Sequence, residues 1–545
     1  MNPVYLLLFL LFISCGKGKT PRPAEPTAPK GYFLDSRNGN DRNNGQTPAT
    51  AWKTLDKINS VTLKPGDKIF LARGSVFKGS LSLSVSGTRE KPVEVTAWPE
   101  NDTTRPLPVI NSAGYLAGIN IRSSSHLILS NLEIVSDAGT PEEPEALKSR
   151  YGVLAVSDGL YESKGIVLEN LYIHNIFASQ QVPAGGQNPT SNKGMGIFFE
   201  SGETASFDSI TIKNCRIENT GHTGIRIRAN TEDPAFYAQH IFILGNRLKN
   251  IGGPGIQPGK CDHVLVSRNV VDHSGSTADP RMHGRGSGIW PWYCHDVLIE
   301  HNRFMYAHGK MDSHGAHIDH NCSDVIIQYN LSIENGGGFV EILGANHNCS
   351  YRYNISVNDG WRVKGVDGAL QNGEILFISN YTGKNVPKEG PYDSYIYNNT
   401  IYVKKEITSW FFLAPTTDGL LVANNIFYLK GATQTSVRKG NDVPGASPQN
   451  IVFRNNLYLY PHTLPEGFPV RDTLSFTGDP KFARPGGYEA EDYLPANATL
   501  VKDKGTTIKK LPGDSIGLRR GLKVEKDILG NPVTGKPDVG AIEMK

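Results

Sequence analysis

Down the middle of the chain, short runs alternate apolar and polar residues, close on an Asn and resume with apolar positions just beyond it. The Asn residues are 131, 170, 214, 246, 269, 302, 330, 354, 399, 425 and 456, and their spacing runs from 23 to 45 residues. In Cys294–Phe304, Val297, Ile299 and Phe304 alternate with polar neighbours, which predicts a strand with one buried and one wet face. Asn302 falls where that strand must bend, and Asn tolerates the left-handed backbone of such a turn. A variable loop follows each bend, then a glycine and a second short strand: Gly118, Gly152, Gly196, Gly224, Gly255, Gly288 and Gly315 each lead one. Self-similarity at this period predicts coils that bury their apolar faces only by stacking.

The unit of strand, Asn turn, loop, glycine and strand resembles the right-handed parallel β-helix of the pectate-lyase type. Residues 33–74 resemble the N-terminal cap of secreted carbohydrate-active β-helices, closing on KPGDKIFLARG. Asp479-Pro480-Lys481-Phe482 and residues 537–543 resemble their terminal segments. The resemblance implies an all-β solenoid with an N-terminal cap and an irregular C-terminal segment. It specifies architecture more than reaction, because this scaffold carries hydrolases, lyases, epimerases and binding proteins. The predicted organisation is 1–15 signal, 16–30 Pro-rich tether, 31–475 β-helix with its cap, and 476–545 a segment packing on the helix.

Stacking allows columns to be read across coils. Aligned on the glycines, one outward column reads Asn120, Leu154, Phe198, Arg226, Gln257, Trp290, His317. A second reads Arg122, Val156, Glu200, Arg228, then Trp292 and Asp319. For the next coil, starting at Gly337 turns Phe339 and Glu341 outward, whereas starting at Gly338 buries a carboxylate at a cost of several kcal/mol. The Gly337 register sets Glu341 directly over Asp319. Two stacked carboxylates repel, so one holds a proton beside a charged partner, which is what glycoside hydrolysis requires. Asp319 is then the nucleophile or base and Glu341 the acid, or the two roles are exchanged, with His317 beside them. Trp290, Trp292 and Phe339 offer platforms for sugar rings. The loop His308–His314 adds Lys310, Asp312 and His314; the loop before Gly288 adds His283 and Arg285 as a wall; Asp367 supplies a further carboxylate. Arg226 and Arg228, in GHTGIRIR, partly resemble polygalacturonase elements, but that family's Asn-Thr-Asp and Asp-Asp motifs are missing, leaving Arg226 as a clamp for a sugar carboxylate.

Three functions compete. The leading one is a glycoside hydrolase acting on a plant, algal or host glycan, similar in plan to β-helical xylosidases and fucosidases. The second is a polysaccharide lyase or uronate epimerase with Lys310 or His317 as base and Arg226 or Ca²⁺ neutralising the uronate. The third is a non-catalytic glycan-binding lipoprotein. No cofactor or resident metal is expected outside the lyase reading.

Composition sharpens the setting. A net charge of +3 gives no field for nucleic acid. The first fifteen residues, with an apolar run too short to span a bilayer, resemble a bacterial lipoprotein signal ending at Cys15. The expectation is a monomer held to the outer membrane by lipid alone and facing the periplasm. Cys261, Cys294 and Cys322 each precede a turn Asn by eight residues and should stack as buried thiols. Cys215 and Cys349 complete the set; no CxxC pair points to zinc.

Overall fold

The computed structural model describes residues 31–545 apart from 101, 180–192 and 462. The signal, the tether and Cys15 lie outside the described residues. The chain winds as a right-handed parallel β-helix with three faces. One face is a sheet of fifteen strands from Gly31–Leu34 to Asp472–Thr473, another a sheet of fourteen from Val76–Lys78 to Phe476–Thr477. The third is split: six strands run from Leu81–Leu83 to Ile256–Gly259, and four from Gly338–Ile342 to Thr433–Thr435. Paired strands are parallel throughout, in registers such as Ile197–Ile225 and Ile225–Ile256.

Inward side chains repeat by type from coil to coil. Ile197, Ile225, Ile256 and Ile289 form one such column, each fully buried. Burying an isoleucine is worth about 1.5–3 kcal/mol, so each coil is stabilised only once its neighbours cover it. At the N-terminal end the short helix Leu55–Asn59 closes the barrel with Leu55 and Ile58. At the far end Phe482, Tyr493, Val501 and Ala541 pack on the outside against Leu331, Ile355 and Leu457.

Asparagine occupies two adjacent columns, not one. Asn131, Asn170 and Asn214 take the left-handed turn conformation, as expected. From Asn246 onward the left-handed residue is the one before, such as Gly245, Arg268, His301 and Tyr329. Asn246, Asn269, Asn302, Asn330, Asn354, Asn399, Asn425 and Asn456 instead turn inward as an unbroken ladder. In each rung the backbone N–H and Nδ2 donate to the next Oδ1 at 2.9–3.0 Å. Nδ2 also donates to a carbonyl of the preceding coil, as Asn330 does to Ile299. The ladder is almost wholly buried, so every bond counts against a desolvated group.

The thiols stack as the spacing predicts. Cys261, Cys294 and Cys322 occupy successive coils, with the Cys294 N–H 3.5 Å from Cys322 Sγ. All five described cysteines are free and buried, and burial pushes Cys215 and Cys349 up to about 12.

Replacing Asn330 with Ala should strand the Asn302 donors inside the protein and cost about 2–4 kcal/mol. The same change at Asn131, on the wetter turn column, should cost under about 2 kcal/mol. Denaturant titration of both variants checks the difference; equal losses would mean that the inner ladder holds no special share of the stability.

Candidate active site

The site occupies the interruption in the third face. Between Gly259 and Gly338 the chain keeps the coil path but loses continuous strand pairing, retaining only single bridges such as Ile289–Ala316 and Ile318–Ile342. Pro258 and Pro291 supply no N–H there, and a proline breaks a ladder at its own position. A cavity of about 350 Å³ opens over this stretch. Trp290, His317, Asp319 and Glu341 line its floor, Asp312 and Arg285 one wall, and His320 and Tyr381 another.

The bridge Ile318–Ile342 sets His317 beside Glu341 and Asp319 beside Leu343. The expected stacking of Glu341 on Asp319 is therefore off by two residues. Alternation fixed which face Glu341 uses, but the offset depends on where the preceding loop ends. Phe339 consequently falls at the corner, opposite Gly315, and points inward against Tyr351 at 5.7 Å. It is a core residue, not a sugar platform. Gly338, at φ +134, supplies the corner: a Cβ there would lie 3.0 Å from His314 Nε2 and closer still to the Glu374 carbonyl. Despite the slip, Asp319 and Glu341 still line one cavity.

The three carboxyl groups of the cavity differ in state. Burial lifts Asp319, but the His320 ring and backbone N–H, at 2.7 and 2.8 Å, outweigh it and hold the carboxyl below the usual aspartate range. Glu341 is pushed up to about 7, chiefly by burial; Asp312 and Asp319 add to the rise and His317 opposes it. Asp312 is gripped by Arg285, whose Nε and Nη2 both reach Oδ2 and leave Oδ1 unengaged. Behind them Arg362 binds the carbonyls of Gly309 and Met311 and the Ser313 hydroxyl, fixing the loop that presents Asp312. Arg438, from a distant loop, pairs with buried Glu374.

His314, His317 and Glu341 bring ligating atoms within 4.8 Å of one another and are the described residues best placed to hold a metal. Yet His314 Nδ1 lies only 2.6 Å from Glu341 Oε2. Ligands about 2.0–2.2 Å from a tetrahedral ion sit wider apart than this. As arranged, the contact is a close ion-pair distance in which neither atom is aligned for a hydrogen bond, and burial drives His314 down to about 3. His317 Nδ1 meets the Ser287 hydroxyl at 2.9 Å.

The other expected residues scatter. Trp292 follows the second column down from Asp319, packed on Gly259 and outside the cavity. Arg226 and Arg228 lie lower on the same face, on Ile225–Ala229. His283 packs against His222 with tilted rings whose centroids lie 4.6 Å apart. Lys310 and Asp367 are exposed and do not line the cavity. Sequence reasoning missed His320, Tyr381, Gln371 and Arg438. His320 follows Asp319 directly and was legible as its neighbour; Arg438 carries no local signal at all.

Residues 195–401 match the family model for a right-handed beta helix region. The chain is 26% identical to the lacto-N-biosidase of Bifidobacterium longum subsp. longum, an alignment covering 94% of this chain and 36% of that protein. The chain thus spans about a third of that relative's length. Alpha-1,3-galactosidase A of Akkermansia muciniphila is 28% identical over 174 residues, 31% of this chain and 24% of that one. Among solved structures, the GH136 lacto-N-biosidase of Eubacterium ramulus superposes with a TM-score of 0.54 at 23% identity, over 75% of this chain and 68% of its own. These likenesses agree with the β-helix seen here and place the chain beside carbohydrate-active enzymes.

Proposed function

We propose that the protein is a glycoside hydrolase acting on a galactose-bearing glycan of the class named by its two relatives. The observation that carries the reading is the convergence of Asp312, Asp319 and Glu341 on one aromatic-lined cavity. Asp319, held ionised by His320, serves as nucleophile or base. The proton donor must reach the glycosidic oxygen, so geometry decides before acidity. The side chains of Asp312 and Asp319 keep 18% and 19% exposure, against 5% for Glu341. Asp312 is therefore the donor a sugar can touch. Its Oδ1, left free by Arg285, is the oxygen available to the sugar. A second reading gives the donor role to Glu341, and its raised pKa favours it. Trp290 and Tyr381 supply faces for sugar rings. A lyase is less well served: Lys310 stands outside the cavity, and Arg285 and Arg438 are already paired with carboxylates.

Asp319→Asn and Asp312→Asn should each lower kcat/KM by about a thousandfold, while Glu341→Gln stays within roughly tenfold of the parent. An active Asp312→Asn beside an inactive Glu341→Gln transfers the donor role to Glu341; an unimpaired Asp319→Asn rejects the mechanism. A product absorbing in the near ultraviolet would indicate elimination instead of hydrolysis.

Stability supplies an independent check on Glu341. Its folded pKa lies above the unfolded one, so the native state binds the extra proton and loses stability as pH rises from about 4.5 to 7. Glu341→Gln removes that loss. Relative to the parent it should gain about 3 kcal/mol at pH 8 and little at pH 5. Melting curves at the two values test the sign, and a pH-independent difference would contradict a proton-loaded Glu341.

A further inference from the structure

Below the cavity the same outward face carries two arginines with nothing to bind. Arg226 and Arg228 project from one strand, and among the described residues neither guanidinium makes a hydrogen bond or an ion pair; both Nε atoms are buried without a partner. The arginines around the cavity are all engaged: Arg285 with Asp312, Arg438 with Glu374, Arg362 with loop carbonyls. A guanidinium stays charged under any ordinary condition, so an idle pair is costly unless something else meets it. The surroundings do so only in part, through the charge of Glu200 and the face of Phe198. Glu200 pairs in register with Arg228, yet its Oε1 accepts from Asn230 and forms no ion pair. Phe198 lies under Arg226 at 5.5 Å. Gln257, the next rung above Arg226, is nine-tenths buried with Oε1 unpartnered, and Trp290 above it leaves Nε1 unpartnered. The field of Arg226 is felt nearby: burial first, then His283 and Arg226, drive His222 well below the ordinary histidine range.

We propose that Arg226 and Arg228, with Gln257, form a subsite for an anionic sugar, one carrying a carboxylate or a sulfate. Three coil steps separate Arg226 from His317, roughly 14 Å at strand spacing. The subsite therefore takes a sugar a few units from the bond that is cut, on the same substrate chain. Trp290 connects the two regions as a shared floor. The inference rests on the hydrolase reading only for which bond is cut; recognition of the anion stands on the arginine pair. Planar guanidinium groups bind carboxylate and sulfate alike through paired N–H donors.

The test uses the full chain carrying Asp319→Asn, titrated calorimetrically with neutral oligosaccharides, lacto-N-tetraose among them, and with their sialylated, uronate-bearing and sulfated counterparts. At low salt the anionic members should bind at least tenfold tighter than their neutral matches, and the advantage should shrink as salt screens it. The carboxylated and sulfated arms show which anion is preferred. Arg226→Gln with Arg228→Gln should bring the anionic-to-neutral ratio close to one, and Arg→Lys at both positions should retain part of it. Each single Arg→Gln variant, checked by its melting curve, serves if the double variant does not fold. Equal affinity for neutral and anionic glycans in the parent, or a ratio unchanged without the arginines, overturns the proposal. Failure of the hydrolase reading shows separately, as intact glycans after incubation with the unmodified protein.

Discussion

Everything in this molecule depends on one coil sitting in register on the next. A coil alone buries neither its isoleucines nor its turn amides; both are satisfied by the coil above. The inner asparagine ladder enforces that register chemically. Each side chain accepts from one rung and donates to another, so a coil displaced by one residue would leave several buried donors empty. Hydrophobic columns alone would be more forgiving, because isoleucine over isoleucine tolerates small shifts. The polar ladder makes the stack a single alignment, and the side chains of the site inherit their positions from it.

The site lies where the third face gives up regular pairing. Pro258 at its edge, Pro291 and two long loops relax that face between Gly259 and Gly338, while the other two sheets run on beneath it unbroken. The inner ladder continues through the same coils, at Asn269, Asn302 and Asn330. Irregular backbone can therefore turn Asp312, His317 and Asp319 into the cavity without loosening the barrel. The rigid faces hold what the irregular face presents.

This division explains what could be read from residues alone. The strands, the turns, the thiol stack and the first outward column up to His317 follow from alternation, which depends on neighbours in sequence. Alternation also chose the correct face for Glu341. It could not fix the two-residue offset, because that is set by how loop 308–314 folds around the Arg362 side chain, a contact about fifty residues away in sequence. The turn asparagines were assigned to one column for a similar reason: Asn214 and Asn246 look alike in sequence, and only the coil above distinguishes the turn residue from the ladder residue. Arg438 and Tyr381 reach the site from loops with no periodic signal. Cavity walls built by such loops are legible only once the coils are stacked.

Charge balance ties these distant contributions together. Asp312, Asp319, Glu341 and Glu374 face three arginines, Arg285, Arg362 and Arg438, and Arg362 feels Asp312, Glu341 and Glu374 together. Four ionised carboxylates would leave one negative charge unmatched in a largely buried setting. A proton on Glu341 removes that excess, and burial, which lifts its pKa to about 7, favours the proton there. The proton cannot sit as easily on Asp319, where His320 donates to the charged form. Nor does His314 take it, since burial and Arg362 both oppose a cation at that position. At rest Glu341 is thus the carboxyl that burial favours protonated, while arginines from separate loops grip Asp312 and Glu374. The same arithmetic sharpens the contrast with Arg226 and Arg228: around the cavity each cation has its carboxylate or carbonyl, and three coils below His317 two cations have none among the described residues.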